Sequence, residues 1–361
     1  MTMTRRRLAL LAAAVTWIPL AVFSLAQAGS ADVPGADSFW RDASVNARYL
    51  ISVPLFILGD GICTSRLWRI IDHFTKAGLI GDTERFDAAV ASARRAFDSR
   101  KALIGLCVAA WLAAVTMTRS LPIARLPDWH VGIGRLAPYS AAGWWHVLVS
   151  LPVSLLLIFG WLWRVWVWAH LLYRIARCRL QLIAAHPDRS GGLGFLGGSL
   201  RAFAPIGFAF STISASREAQ VILSGQSLGS AHLYFNVGVA VVIMLLIVLP
   251  LCWFARPIMQ VGGRGNLAYS TLALQMGQAF ERRWLAEETP RFGEDALHAS
   301  DFSATVDLYS IVVGARGLRW LPVTRRHILT LAAVLATPFL PVALLMVPLS
   351  VIWSQLRGLL F

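Results

Sequence analysis

Residues 145–196 read WHVLVSLPVSLLLIFGWLWRVWVWAHLLYRIARCRLQLIAAHPDRSGGLGFL. The stretch from Trp145 to Val165 is apolar for about the 20 residues that a helix needs to cross roughly 30 Å of hydrocarbon. After it come three arginines, at 174, 177 and 179, and then HPDRSGG, where Pro187 and paired glycines must end the helix. A membrane span closed by a charged, glycine-rich elbow is the unit from which the rest is read.

Similar apolar runs recur along the whole chain, at about 8–28, 49–70, 102–118, 145–165, 196–215, 231–254 and 327–347. The composition agrees, with 57% apolar and 14% charged residues where soluble domains carry about a quarter charged. The predicted fold class is therefore all-α, a polytopic transmembrane helical bundle of about seven spans forming a single membrane domain over 1–361. The ten-residue alternating segments of an outer-membrane barrel are missing from the pattern.

The net charge of +14 invites a nucleic-acid reading, but the placement of the charge argues for a membrane. Of the 33 Lys and Arg, 25 fall in the N-terminus and in segments 66–101, 174–201 and 256–326. The positive-inside rule then sets the N-terminus in the cytoplasm and the C-terminus in the periplasm of a bacterial inner membrane. Membrane lipids are the expected surroundings, and no nucleic acid is expected. Arg201 makes the fifth run the least regular, yet the charge bias requires it to cross. The first run, with Arg5–Arg7 before it and Ala26-Gln27-Ala28 after it, imitates a cleavable signal; its apolar core from Leu8 to Leu25 is longer than the usual 7–15 residues, which predicts a retained anchor. The four cysteines, at 63, 107, 178 and 252, show no paired spacing, so neither a disulfide framework, a metal site nor a cofactor is implied.

Two cytoplasmic segments are long enough to fold. In 65–101 the pattern predicts two amphipathic helices broken at Gly78–Gly81, with Leu67, Ile70, Ile71 and Phe74 on one face, lying along the headgroups. In 256–326 it predicts a hairpin, one helix from about Leu267 to Leu285 and another from about Ser303 to Val313, around an acidic break at Glu287–Asp295. No internal repeat is visible.

Asp60, in LFILGDGIC, is the ionisable residue most clearly inside a span, about 18 Å from Arg48 at the outer edge at 1.5 Å per residue. A carboxylate there costs about 2.5–3.5 kcal/mol unless paired or wet, so it should face the bundle interior as a cation or proton site, a buried counter-ion or a hydrogen-bonded carboxyl. Arg164 falls about 28 Å beyond Trp145, near the inner edge, where Trp161 and Trp168 would flank its guanidinium. A direct Asp60–Arg164 pair would neutralise both. In the elbow, His186, Asp188, Arg189, Gly191, Gly192 and Gly194 offer either free amides beside cations, suited to a phosphate or carboxylate, or a plain tight turn followed by small-residue packing through Gly194 and Gly198. Gly192, Gly194 and Gly197 spell GxGxxG without a βαβ unit, Gly225–Gly229 spells GxSxG without a nucleophile elbow, and the HPD triplet lacks a soluble helical setting, so all three are discounted.

Several stretches carry a resemblance: 47–60, ARYLISVPLFILGD; 143–196, from GWWHVL to HPDRSGGLGFL; 300–312, SDFSATVDLYSIV; and 319–349, RWLPVTRRHILTLAAVLATPFLPVALLMVPL, leading to LRGLLF. They resemble a family of multi-pass inner-membrane proteins of proteobacteria, from the first span to the C-terminus. The resemblance implies an acidic residue at Asp60, more often Glu among members, an arginine at Arg164, a retained first span and a two-helix cytoplasmic segment containing Asp301 and Asp307. It implies no activity.

Three functions remain open. Buried ionisable groups and a broken helix at a membrane edge suggest a transporter or channel-like protein for a small polar or ionic solute, with Asp60, Arg164 and the elbow along its pathway. An accessory protein would dock a protein partner through the cytoplasmic helices. A membrane enzyme acting on a lipid or phosphorylated substrate would use His186, Asp188 and Arg189, but no nucleophile or metal constellation accompanies them.

Overall fold

A computed structural model describes residues 4–28, 36–120, 122, 126–131, 139–225, 229–285, 300–346 and 357. The chain is a helical bundle, and its described residues contain no strand, only the isolated bridges Ile80↔Leu180 and Val131↔Tyr139. Among the described residues, five segments are long and apolar enough to cross a membrane: 5–27, 43–76, 100–120, 141–176 and 234–284. A sixth, α13 (Arg325–Ala336) with α14 (Phe339–Met346), qualifies if its 54° bend belongs to one span. Pro338 explains the bend, since it supplies no amide to the helix and its ring crowds the carbonyl of the preceding turn.

The first span is α1 (Arg5–Ala28). Short α2 (Ala36–Arg41) and α3 (Ala43–Ala47) lead into α4 (Val53–Lys76), and α5 (Thr83–Phe97) turns back into α6 (Arg100–Ser120). Then α7 (Ala141–Trp145) leads into α8 (Leu151–Ala176), the elbow, α9 (Gly198–Leu223), α10 (Ser230–Val248), α11 (Ala255–Trp284) and α12 (Ser300–Arg316).

The entrances to α4 and α8 are built alike. Each begins with a π-helical turn, Arg48–Ser52 and His146–Ser150, followed by Ser-x-Pro. Proline at the second helical position has no N–H to close the preceding turn, so the backbone widens there. Both serines are buried and donate to a neighbouring helix, Ser52 Oγ to the Ala209 carbonyl at 3.1 Å and Ser150 Oγ to that of Thr16 at 2.7 Å.

The fifth predicted span, 196–215, becomes α9, which is long but falls short of the apolar test met by the five others. Its 26 residues reach about 39 Å. It runs antiparallel to α4 over the same depth: Arg201, Ala209 and Gln220 bond in turn to Arg66, Ser52 and Ala43. Surrounded by α3, α4, α10, α13 and α14, it buries Ser199, Ser211, Thr212, Ser216 and Glu218 instead of showing lipid an apolar wall. Gly59 makes the tight α4–α9 crossing possible, because a Cβ there would run into Ile206.

The two predicted cytoplasmic segments also change. The first expected amphipathic helix is not separate; it is the unbroken end of α4, and Ile70, Ile71 and Phe74 are buried in the main core with Phe86, Leu193 and Phe254. In the second segment the first helix starts earlier, at Ala255, and pairs with α12, where Arg283 meets Asp301. The acidic break at 287–295, the centre of the GxSxG match at 226–228 and most of the C-terminal LRGLLF lie outside the described residues.

Candidate functional site

Asp60 projects from α4 between α1 and α8. Its Oδ2 lies 3.2 Å from an Arg5 guanidinium nitrogen and its Oδ1 lies 3.1 Å from one of Arg164. One carboxylate therefore joins three helices, leaving the cluster with a net positive charge. At Oδ1 the contact has ion-pair distance without the alignment of a hydrogen bond. The side chain of Asp60 is 20% exposed, Arg164 30% and Arg5 51%, so the cluster is most open on the Arg5 side. Gly61 leaves room for Arg5, whose guanidinium occupies the place a Cβ would take.

Arg164 is also held from its flat faces, 4.9 Å from the Trp161 ring and 5.3 Å from that of Phe97. The sequence pointed to Trp161 and Trp168, and Trp161 is where it was expected but Trp168 is not. That ring turns into the core, and Phe97 from α5 takes its place, a contact that no spacing within α8 could reveal.

The elbow resolves differently. Asp188 folds back on its own loop: Oδ1 accepts from the amides of Ser190 (2.8 Å) and Gly192 (3.1 Å), and Oδ2 from that of Gly194 (2.7 Å). The amides that might have held an external phosphate already hold this carboxylate. Burial raises the Asp188 pKa, but the amides of Gly194, Ser190 and Gly192, with His186, outweigh it and hold the carboxyl below its ordinary value. His186 Nδ1 lies 2.9 Å from Oδ1 and 3.3 Å from the Asp188 amide, so its role as donor or acceptor follows its tautomer.

Left-handed backbone at Arg189 (φ 54°), Gly191 (φ 69°) and Gly192 (φ 98°) closes the turn. Arg319, ahead of α13, fixes the elbow from outside: its amide donates to the Arg189 carbonyl and its guanidinium to that of Asp188, both at 2.7 Å. Gly194 is small because a Cβ would press on the Asp188 carboxylate at 3.0 Å, not for the helix packing expected of it.

Asp60 and the elbow are not one site. Asp60 lies sixteen helical steps, a rise of about 24 Å, before the end of α4 at Lys76, and Leu79, against which Gly192 packs, is in the turn just beyond. The sequence placed both near one pathway; the structure puts them at different depths.

A third polar cluster, at the end of the bundle away from the elbow, escaped the sequence reading. His130 Nε2 and His146 Nδ1 are 3.1 Å apart, while among the described residues His130 Nδ1 and His146 Nε2 are buried without partners, and the Tyr49 ring packs edge-on to His146. Trp129 packs edge-on to both imidazoles and donates to Asp42 at 3.1 Å. Burial pushes His130 down to about 4. Only the folded loop brings these residues together.

No family model, curated protein or solved structure matches this chain. The reading of function therefore rests on its own geometry.

Proposed function

We propose that this chain is a multi-pass protein of a bacterial inner membrane, N-terminus cytoplasmic and C-terminus periplasmic, that passes or gates a small polar or ionic solute. The observation that carries this is the Arg5–Asp60–Arg164 cluster. An ionisable side chain within a span is costly and is retained where it faces a pathway or a charge partner. Here one carboxylate is shared by guanidiniums from two other helices, and all three side chains keep some exposure. Parting of Arg5 from Asp60 would free α1 and expose a fixed cation and a carboxylate together, which is a gate in chemical terms. The same reading includes the resemblance to the proteobacterial inner-membrane family. The elbow serves as a rigid end-stop, since its amides are occupied.

The test is solute flux in proteoliposomes, with ions and small organic anions and cations as probes. Flux that survives Asp60→Ala and Arg164→Ala together rules out this pathway.

One observation favours the accessory reading as a second. The α11–α12 hairpin exposes Leu267 (75%), Leu274 (63%), Val306 (67%) and Val313 (67%), more apolar surface than a solvated helix pair needs. A stoichiometric partner that co-purifies with the full chain and is lost on Leu267→Glu and Val306→Glu would support it.

A further inference from the structure

On the other side of α4 from Asp60 lies a cavity of about 430 Å³, bounded by Arg66, Arg69, Ile70 and His73 of α4 and by Phe195, Gly198 and Arg201 across from them. We propose that it is a binding site for a phosphate-bearing ligand, a phosphomonoester, a diphosphate or the phosphate headgroup of a lipid.

Three guanidiniums converge on one space. Among the described residues neither the Arg69 nor the Arg201 guanidinium is in a hydrogen bond or ion pair, and Arg66 spends one N–H on the Arg201 carbonyl at 2.8 Å, keeping its others free. Among the described residues no carboxylate lines the cavity; Asp72, on the same helix, is outside it. Arg201 stands in the first turn of α9, where the positive end of the helix dipole disfavours a cation. Like charges gathered at such a place raise the free energy of the empty site, and an anion offsets that cost. Guanidiniums bind tetrahedral oxyanions through paired N–H donors, and three of them match a multiply charged phosphate better than a single carboxylate. Phe195, against which His73 packs edge-on at 4.4 Å, and buried Ile70 give an apolar floor for the rest of the ligand. The volume suits a small organic phosphate.

The site does not depend on the transport reading. Arg66, Arg69 and His73 point more than 100° round α4 from Asp60 at 100° per residue, so loss of Asp60 leaves the cavity intact.

The full chain, purified in detergent, is titrated with inorganic pyrophosphate and separately with dihexanoyl phosphatidic acid while its thermal unfolding is followed. Saturating ligand, near 100 times its Kd, should raise Tm by about 5 °C. Arg69→Gln and Arg201→Gln should each weaken the effect by about tenfold, whereas Arg177→Gln, outside the cavity, should not. Should the variants fail to fold, wild type alone decides: either ligand should protect Arg66, Arg69 and Arg201 from phenylglyoxal, read by peptide mass spectrometry. A response to both probes, in competition, assigns the shared phosphate group; to phosphatidic acid alone, a lipid headgroup; to pyrophosphate alone, a soluble phosphate. The proposal is overturned by absence of a saturable shift and of protection with either probe at millimolar concentration, or by a shift that both variants retain in full.

Discussion

Asp60, inside a helix, and Asp188, in the elbow turn, are both carboxylates at positions where the chain cannot leave a charge bare, and they are held in opposite ways. Asp188 is satisfied locally, by three amides within six residues of itself, so its partners are fixed by covalent connectivity. Asp60 is satisfied by guanidiniums at the ends of long side chains on α1 and α8, which exist as partners only when the bundle is assembled. One carboxylate builds a turn and the other joins helices. A local device resists loosening of the bundle, whereas a tertiary one reports it.

The largest effect should follow loss of the local device. Asp188→Asn places an amide nitrogen against at least one N–H and removes the charge that the turn is wrapped around. Hydrogen bonds to a charged group are worth about 1.5–3 kcal/mol each, and with some solvent access and no strict additivity the cost should be about 3 kcal/mol in reversible unfolding. The effect carries a pH signature. Because the folded carboxyl titrates below its unfolded value, its contribution is complete above about pH 4 and is lost as pH falls through the folded value, so wild type and Asp188→Asn should converge only in strong acid. A gap that is unchanged down to pH 2 would break the contrast drawn between the two aspartates.

Next comes the tertiary device. Asp60→Asn and Arg164→Gln should each cost about 2 kcal/mol, less than the 3–5 kcal/mol of a fully buried pair because both groups keep some exposure. The double variant should be less damaged than the sum by about 1 kcal/mol, since the second change removes a charge already left without its partner. Additive costs would show that the cation–π contacts with Trp161 and Phe97 hold Arg164 without help from Asp60.

The contrast also decides what could be read from the sequence. The helical class, the position of the elbow and the Asp60–Arg164 pairing follow from apolar length, Pro and Gly punctuation and the cost of burying charge. All three are local or forced by the bilayer. That α9 could be rich in Ser and Thr was not legible, because its tolerance for polar residues depends on the helices that sheathe it. Nor were Phe97 beside Arg164, the His130–His146 contact or the convergence of Arg201 with Arg66 and Arg69, each of which joins residues on different elements. The two Ser-x-Pro segments stood in plain view, but the π-helical turns before them become meaningful only once Ser52 and Ser150 are seen reaching the Ala209 and Thr16 carbonyls. The elbow left two readings open, anion cradle or tight turn, for a related reason: a loop rich in glycine looks like an anion cradle until the carboxylate that fills it is counted.

Arg5 gives the smallest effect and the sharpest diagnosis. It is half exposed and sits in the first turn of α1, so its attraction to Asp60 is softened by water and by salt. Arg5→Gln should therefore cost less than about 1 kcal/mol in low salt and close to nothing at 0.5 M KCl, while the cost of Arg164→Gln, which lies deeper against two aromatic rings, should change little. Equal salt sensitivity of the two would mean that water enters the cluster from both sides and that neither arginine is the movable one. Sensitivity confined to Arg5 would identify α1 as the helix that parts from Asp60 first, because the weaker and more hydrated of two contacts to one carboxylate is the one thermal motion opens. That helix is then the place to put a spectroscopic probe when the opening of the cluster is followed in a bilayer.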